Sequence, residues 1–484
     1  MSDIEAVTEE PAQNLGERAS RAAAWTFIGF GIGQLVRLVG NIILARLLFP
    51  EAFGLMLIAG VLVQGLLLFS DLGIGPSIVQ NKAGDDREFL DTAWTMQSIR
   101  GVVLTLASLL AAWPFAQFYN DDRLFLIVVV IGCSAFFQGL GSTKIFTVGR
   151  HLNPKRLIAI EIVSQLIGVA SMITSALVSP TYWALVAGAL MTPLSKMVLS
   201  HIVLEGPINR FRWHTPSVRS LFHFGKWIFL STALTFFAGQ SDRLIFAKLI
   251  PLDMLGVYSF AAMITLMPLT LFGHIEKRVV FPVYSEVARK ERELAPVFTR
   301  ARAGYLTAGG VICAGLFAAG PSLIEVLYDE RYHQAGWMLR YLTIGTWLTL
   351  VQTTYGAAHL ATARVQWVAA SSMCKVIGII AFVSFGYEVA GFEGAVLGYA
   401  LSEFLRYAVL AFGGRMMKLP GLGQDVFLTL VIVVTAWLGV MGGNVIPDAG
   451  AVMRTATIGT IVGLLWTPLI YTHLGKAVAL VRKS

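Results

Sequence analysis

The sequence predicts an all-α, polytopic membrane protein, on the basis of its composition, its apolar windows and the distribution of its charges. Of the 484 residues, 56% are apolar and only 14% are charged. A soluble domain has about a quarter of its residues charged, so this chain could not cover its apolar excess in water. A soluble enzyme, a disordered scaffold and a disulfide-rich secreted domain are therefore excluded.

Apolar windows long enough to cross a bilayer recur along the whole chain. A hydrocarbon core requires roughly twenty residues of helix, and the alternating pattern of an outer-membrane barrel is absent from the sequence. The sequence therefore predicts about fourteen transmembrane helices. Their expected ranges are 22–48, 53–78, 92–118, 123–148, 157–179, 182–204, 224–249, 254–282, 300–327, 337–361, 365–387, 392–415, 425–447 and 451–474.

The basic residues are distributed unevenly between the two sides of these helices. If the N-terminus is cytoplasmic, about twenty-one lysines and arginines fall in inner segments, Arg300 and Arg302 among them. The outer loops then hold only Arg123, Arg331 and Arg454. Because lysine and arginine concentrate on the cytoplasmic side of membrane proteins, both termini are expected to be cytoplasmic.

The chain resembles itself when it is shifted by 202 residues. Trp25 then meets Trp227, and Ala45-Arg46-Leu47 meets Ala247-Lys248-Leu249. The period contains six helices, an even number, so two bundles of the same polarity are expected to be related by an axis along the membrane normal. The predicted domains are an N-terminal cytoplasmic tail (1–21), a six-helix bundle (22–204), a cytoplasmic linker (205–223), a second six-helix bundle (224–415) and an extra helix pair (425–474).

Several basic residues fall well inside predicted helices, where a charge normally faces water or a partner. We predict that they bind an anionic substrate in a hydrated, positively charged cavity, because arginine and lysine are natural ligands of phosphate. The alternative for each is a structural ion pair or a side chain that reaches the interface, as for Arg243 beside Asp242. The candidate substrate-binding residues are Arg37, Lys196, Lys375, Arg406, Arg100 and Arg243.

Carboxylates are fewer within the predicted helices. Asp71, Glu161 and Glu403 are the candidates for ion coupling. Glu403 precedes Arg406 by three residues, which places both on one helix face and predicts that they pair. His359 could carry a proton because histidine titrates near neutrality, and a neutral, hydrogen-bonded histidine is the alternative.

The sequence contains no pattern typical of a catalytic, metal or cofactor site. Cys133, Cys313 and Cys374 are isolated in apolar runs, so neither a disulfide framework nor a zinc site is expected. There is no Walker-type loop and no nucleophile elbow. The loops are too short to fold as a catalytic domain. The chain is therefore not predicted to be an enzyme, and neither a cofactor nor a nucleic-acid partner is expected.

Three segments resemble one family of membrane proteins. ARLLFPEAFG (45–54), SDLGIGPSIVQ (70–80) and FPVYS (281–285) are similar to signatures of the bacterial oligosaccharide flippases, which export O-antigen and exopolysaccharide repeat units. These flippases form the polysaccharide transporter family of the multidrug/oligosaccharidyl-lipid/polysaccharide (MOP) exporter superfamily. The resemblance covers roughly residues 18–415 and extends to the layout of fourteen helices.

The resemblance implies a substrate and a direction of transport. The substrate would be an undecaprenyl-diphosphate-linked oligosaccharide, moved from the inner to the outer leaflet of the bacterial inner membrane by alternating access. The partners it implies are this lipid, the phospholipid bilayer and a polymerase and chain-length regulator of the same export pathway. A positive cavity suits a diphosphate head group, which agrees with the prediction from the basic residues.

Other functions compete with this interpretation, a non-transporting assembly scaffold among them. A multidrug exporter of the same superfamily would bind organic cations, but the basic residues outnumber the acidic ones within the predicted helices. A membrane-embedded polymerase or glycosyltransferase would act on the same lipid, but such an enzyme needs a sizeable catalytic loop. The flippase interpretation is therefore preferred on both grounds.

Overall fold

The backbone is helical throughout the part of the chain that the structure describes. This computed structural model describes residues 12–70, 73–81, 83–150, 155–446 and 450–481, and no strand occurs in these ranges. The predicted all-α fold class is thus confirmed. A helix satisfies its backbone hydrogen bonds internally, which is what a hydrocarbon environment demands.

Sixteen α-helices occur in the described ranges, with a π-helical turn at Glu276–Val280 and a 3₁₀ turn at Glu330–Tyr332. The α-helices are α1 (Ala12–Leu47), α2 (Pro50–Phe69), α3 (Ile74–Gln80), α4 (Arg87–Tyr119), α5 (Arg123–Gly139), α6 (Lys144–Arg150), α7 (Lys155–Val178), α8 (Trp183–Ile202), α9 (Thr215–Leu249), α10 (Leu252–Ile275), α11 (Phe281–Arg289), α12 (Leu294–Leu327), α13 (Ala335–Ala361), α14 (Val365–Met416), α15 (Leu422–Asn444) and α16 (Ala451–Val481).

Ten helical runs within the described residues are long and apolar enough to cross a bilayer. The longest, α14, has 52 residues, about 78 Å at about 1.5 Å per residue, whereas the hydrocarbon core is only about 30 Å thick. Its backbone is non-helical at Ala390 and Gly391, and Gly391 has a φ of 60°. This kink lies between the predicted spans 365–387 and 392–415. The total of fourteen spans stays a prediction.

Two predicted spans are interrupted in the structure. The predicted helix 53–78 ends at Phe69, where Ser70 Oγ donates to the Leu66 carbonyl at 2.8 Å, and a new helix begins after Gly73. Gly73 has a φ of 62°, a conformation that favours glycine. The predicted helix 123–148 ends at Gly139. Gln97 Nε2 of α4 donates to the carbonyl of Gly139 at 3.2 Å and replaces a helical hydrogen bond there.

The chain divides into two compact units, Met1–Phe236 and Phe237–Ser484. In the first unit α7 packs along α8 and on α1, α4 packs on α5, and α5 also contacts α2 and α8. In the second unit α13 contacts α10, α12 and α14, while α15 and α16 pack on each other and on α12. The finer domain limits predicted from the sequence stay predictions.

The helix ends repeat with the offset that the sequence predicts. Adding 202 to the end of α1 at Leu47 gives Leu249, the end of α9, and adding it to Pro50 gives Leu252, where α10 begins. A second correspondence was not predicted. The turn after α4 and the turn after α12 both carry an Asp-x-Arg sequence, discussed below. The two units therefore share these local features.

Candidate functional site

The first unit contains a cavity of about 360 Å³ that is lined by three of the predicted site residues. Arg37 of α1, Glu161 of α7 and Lys196 of α8 all lie in its wall. The packing of α7 on both α1 and α8 brings these three helices together. Two cations and one carboxylate give the ionisable part of this wall a formal charge of +1. Such a wall attracts an anion.

Lys196 and Glu161 form an ion pair across the α7–α8 interface, with 3.0 Å between Nζ and Oε1. The two helices approach closely, since a Cβ on Gly188 would lie 2.8 Å from the Gly168 carbonyl oxygen. A structural ion pair is the alternative that the sequence left open for Lys196. Small residues let the helix backbones meet, and the contact places Glu161 opposite Lys196.

Arg37 and Ser164 supply free polar groups to the same cavity. Arg37 is exposed, and within the described residues its guanidinium has no hydrogen-bond or ion-pair partner. Ser164 is 1% exposed, and no described residue bonds its Oγ. A buried hydroxyl without a partner carries an energetic penalty that a bound ligand could remove. The cavity therefore combines a free cation and a free hydroxyl with the Lys196–Glu161 pair.

A larger cavity of about 660 Å³ lies in the same unit and is lined by Arg100 and Lys196. Arg100 Nη2 donates to the Leu67 carbonyl at 2.6 Å and its Nε to Ser70 Oγ at 3.0 Å, which fixes the side chain between α2 and α4. Neither aspartate nor glutamate is among the described residues that line this cavity. Lys196 and Thr192 line both cavities. The sequence did not predict that Gln97 lines the larger cavity.

The second unit contains a buried ion pair between two predicted site residues. Lys375 Nζ lies 2.5 Å from Glu403 Oε1, and both side chains are less than 10% exposed. Gln352 Nε2 donates to the other carboxylate oxygen at 2.7 Å. The predicted pairing of Glu403 with Arg406 was wrong, since Glu403 points to α13 and the first half of α14. Arg406 is near enough to interact with Glu403 electrostatically, but no described residue accepts from its Nε.

The remaining candidates lie apart from these pairs. Arg243 Nη1 donates to Gln240 Oε1 at 2.7 Å, while Tyr258 donates to Asp242 Oδ2 at 2.5 Å. Among the described residues, Arg243 therefore does not form the ion pair with Asp242 that the sequence left as an alternative. Asp71 lies outside the described residues. Substrate binding by the six cations and ion coupling by the three carboxylates stay predictions.

Two charged residues that the sequence interpretation missed form the most buried pair. Arg302 is 0% exposed and its Nη2 contacts Asp425 Oδ1, which joins α12 to α15. Tyr355 and Tyr407 donate to Asp425 Oδ2 at 2.8 and 2.9 Å. The sequence interpretation counted Arg302 among the residues of the cytoplasmic segments and predicted neither its burial nor its partner. Only the presence of Arg302 two residues inside the predicted span 300–327 hinted at burial.

No group of three or more histidine, cysteine, aspartate or glutamate side chains that could hold a metal ion occurs in the described ranges. His359 is buried, and its Nε2 donates to the Leu410 carbonyl at 3.0 Å. Its ring stacks on Trp367. This arrangement corresponds to the hydrogen-bonded histidine that the sequence left as an alternative to proton carriage.

Comparison with known proteins gives the family. The family described as "Polysaccharide biosynthesis protein" matches residues 43–336, which is more than half of the chain. The chain belongs to this family. The lipopolysaccharide biosynthesis protein WzxC of Escherichia coli (strain K12) is 22% identical over 422 residues, covering 85% of this chain and 83% of WzxC. The predicted family membership is therefore confirmed.

Solved structures give the fold of this family member. The lipid II flippase MurJ, in its inward closed conformation, matches with a TM-score of 0.72 at 12% identity, covering 94% of this chain and 99% of MurJ. A multidrug resistance MATE family transporter of the MOP superfamily, in its inward-facing conformation, matches with a TM-score of 0.64 at 13% identity. The match covers 82% of this chain and 95% of the transporter. At these identities the likeness establishes the fold alone. The chain is a multi-pass membrane protein with the fold that MurJ and this MATE transporter share.

Proposed function

We propose that this protein is a flippase that moves an undecaprenyl-diphosphate-linked oligosaccharide from the inner to the outer leaflet of the bacterial inner membrane. The observation that carries the proposal is the pair of cavities in the first unit, lined by Arg37, Arg100 and Lys196. These three basic side chains stand against a single carboxylate, Glu161, in the walls of both cavities. An anionic head group is the ligand that such walls favour.

Family membership supports the same substrate class. WzxC is named as a lipopolysaccharide biosynthesis protein and MurJ as a lipid II flippase. A transporter that shares the family of the first and the fold of the second is expected to handle a lipid-linked saccharide. It would act by alternating access, with both termini in the cytoplasm. A polymerase and a chain-length regulator that use the exported lipid are the proposed partners.

The membrane potential provides a driving force for this direction. The bacterial interior is electrically negative, so outward movement of an anion is favourable. Each full charge that crosses contributes about 2.3 kcal/mol per 100 mV. We expect collapse of the potential in proteoliposomes to slow flipping, and unchanged rates would show that another gradient or downstream consumption of the product drives export.

The proposed function is tested with the purified full chain in proteoliposomes. A lipid-linked oligosaccharide with an undecaprenyl diphosphate carrier is placed in one leaflet, and its arrival in the other is followed by a membrane-impermeant glycosidase. We expect accelerated exchange with the wild type and at least about a tenfold slower rate for Arg37→Gln with Arg100→Gln. A phosphatidylcholine analogue serves as the control lipid and should not be accelerated.

Each competing function gives a different result in the same vesicles. Transport of ethidium without flipping of the glycolipid would overturn the proposal in favour of an organic-cation exporter. Growth of the glycan chain on the purified protein alone would overturn it in favour of a polymerase. Equal flipping rates for the wild type and the double variant would show that Arg37 and Arg100 do not bind the substrate, and the proposal would lose its basis.

A further inference from the structure

The Lys196–Glu161 pair is placed where an incoming anion would meet it. Lys196 lines both cavities of the first unit, whereas Glu161 lines the smaller one. The two side chains are 38% and 52% exposed. In the hydrated cavity that the proposed function requires, water screens such an ion pair, so this pair can open readily. The Lys375–Glu403 pair, with both side chains less than 10% exposed, does not share this property.

The groups around the pair are those that a phosphate needs. Arg37 and the Ser164 hydroxyl, both without a partner among the described residues, line the same cavity as Glu161. The wall of this cavity therefore offers a phosphate three donors, the Lys196 ammonium, the Arg37 guanidinium and the Ser164 hydroxyl. In this structure the Glu161 carboxylate accepts the hydrogen bond of the Lys196 ammonium. It has the same kind of charge as the ligand and accepts the same hydrogen bond.

We propose that Glu161 competes with the anionic head group for Lys196: it neutralises Lys196 before the substrate binds and yields it to a phosphate of the substrate. This inference rests on the proposed function and adds a role for one residue. Because the exchange replaces one ion pair by another, it holds the affinity for the lipid at a moderate level. A flippase requires such moderation, since tight binding would slow release into the outer leaflet.

The consequence is an unusual prediction for a residue in a binding cavity. Removing the Glu161 carboxylate should strengthen binding, whereas removing the Lys196 ammonium should weaken it. Glu161→Gln is expected to lower the Kd for the lipid by about twofold to tenfold, and Lys196→Gln to raise it by about tenfold or more. Release becomes slower in Glu161→Gln, so the flipping rate at saturating lipid should fall although the affinity rises.

The test measures binding of undecaprenyl diphosphate to the full chain in nanodiscs of zwitterionic phosphatidylcholine. The variants are Glu161→Gln, Glu161→Ala in case the first fails to fold, Lys196→Gln, and Glu161→Gln with Lys196→Gln. The double variant should bind as weakly as Lys196→Gln alone, because a competitor has no effect once its target is gone. Inorganic pyrophosphate is the second probe, and we expect it to displace the lipid at millimolar concentration.

A matched control removes a carboxylate elsewhere in the same unit. Glu205 forms an exposed ion pair with Arg156, with 2.6 Å between Oε1 and Nη1, and lines neither cavity. Glu205→Gln changes the net charge by the same amount as Glu161→Gln and should leave the Kd within about twofold of the wild-type value. A similar gain of affinity in the control would reduce the effect of Glu161 to a general change of charge and overturn the inference.

Failure of the inference is distinguishable from failure of the proposed function. If the wild type does not bind undecaprenyl diphosphate, the proposed function falls and the exchange falls with it. If the wild type binds but Glu161→Gln and Glu161→Ala bind equally or more weakly, only the exchange is overturned. The exchange would also be overturned if the double variant bound undecaprenyl diphosphate as tightly as Glu161→Gln does. Failure of pyrophosphate to displace the lipid would overturn it as well.

Discussion

The two units of the molecule use ion pairs of the same chemistry in opposite settings. The Lys196–Glu161 pair of the first unit lies beside cavities and is partly exposed, whereas the Arg302 and Asp425 side chains of the second unit are 0% and 5% exposed. An exposed pair is screened by water and can exchange partners at little cost. A buried pair cannot open without leaving a charge unsolvated. Burial therefore separates the pairs that can take part in binding from those that hold helices together.

Among these ion pairs, we expect the largest loss of stability when Asp425 is replaced. Asp425→Ala leaves the Arg302 guanidinium buried without its carboxylate and removes the acceptor of the Tyr355 and Tyr407 hydroxyls. We expect the free energy of unfolding to fall by about 3–5 kcal/mol, measured by thermal and denaturant unfolding of the purified protein. Arg302→Met with Asp425→Leu removes both charges and should recover most of the loss. A wild-type unfolding temperature for Asp425→Ala would contradict the structural role.

A smaller loss is expected at the second buried pair. Lys375→Met removes the ammonium beside Glu403, but Gln352 still donates to that carboxylate at 2.7 Å and Arg406 is near. The loss of stability should therefore be about 2 kcal/mol, less than for Asp425→Ala. The same unfolding measurements rank the two variants. The double variant Lys375→Met with Arg406→Met should lose more free energy of unfolding than the two single variants lose together, because Arg406 can no longer compensate for the missing ammonium.

Helix positions could be predicted well from the sequence, because apolar windows of membrane length leave little choice. The end of α13 at Ala361 and the end of α12 at Leu327 agree with the predicted spans, and the predicted all-α class is confirmed. The breaks after Phe69 and Gly139 were missed. After Phe69 the chain turns at Gly73, which has a φ of 62°, and after Gly139 the Gln97 side chain of another helix donates to the carbonyl at the helix end. Hydrophobic periodicity carries no signal for either feature.

The partners of charged residues were predicted less well. The pairing of Glu403 was assigned to a neighbour three residues away, whereas its partner Lys375 lies on the other side of the kink in α14. Spacing along one helix reveals only local partners. The Arg302–Asp425 and Lys196–Glu161 pairs join different helices, so they depend on how those helices pack. A single sequence does not determine that packing.

Replacing a residue of the exposed Lys196–Glu161 pair should affect transport strongly and stability little, the reverse of what is expected for the buried pairs. Lys196→Gln is expected to change the free energy of unfolding by less than about 1 kcal/mol, because its ion pair with Glu161 is partly exposed. The flipping rate in proteoliposomes should nevertheless fall about tenfold, if Lys196 binds the head group. Arg156→Gln, which breaks the exposed pair with Glu205, is the control and should change neither quantity appreciably. A large loss of stability in Lys196→Gln would place this pair with the structural ones.

The smallest effects are expected at the two Asp-x-Arg turns, one in each unit. In both, the arginine Nη2 binds the aspartate Oδ2, at 2.7 Å for Arg123–Asp121 and 2.6 Å for Arg331–Asp329. Backbone N–H groups of both arginines donate to the same aspartates, at 3.0 and 3.1 Å. The hydrogen bond from the arginine side chain lowers the pKa of each aspartate below its usual value. The two units therefore carry the same titratable turn.

A lowered pKa fixes the sign of the pH dependence. Each turn stabilises the fold fully above the pKa of an aspartate in the unfolded chain, about 4, and loses this contribution as the pH falls through the lower pKa of the folded state. Unfolding temperatures should fall on acidification below about pH 4, and less steeply for Asp121→Asn with Asp329→Asn than for the wild type. Each pair is partly exposed, so solvent screening limits its effect to about 1 kcal/mol at most. An acid response that is the same in both proteins would contradict the contribution of these turns and assign the acid sensitivity to other carboxylates.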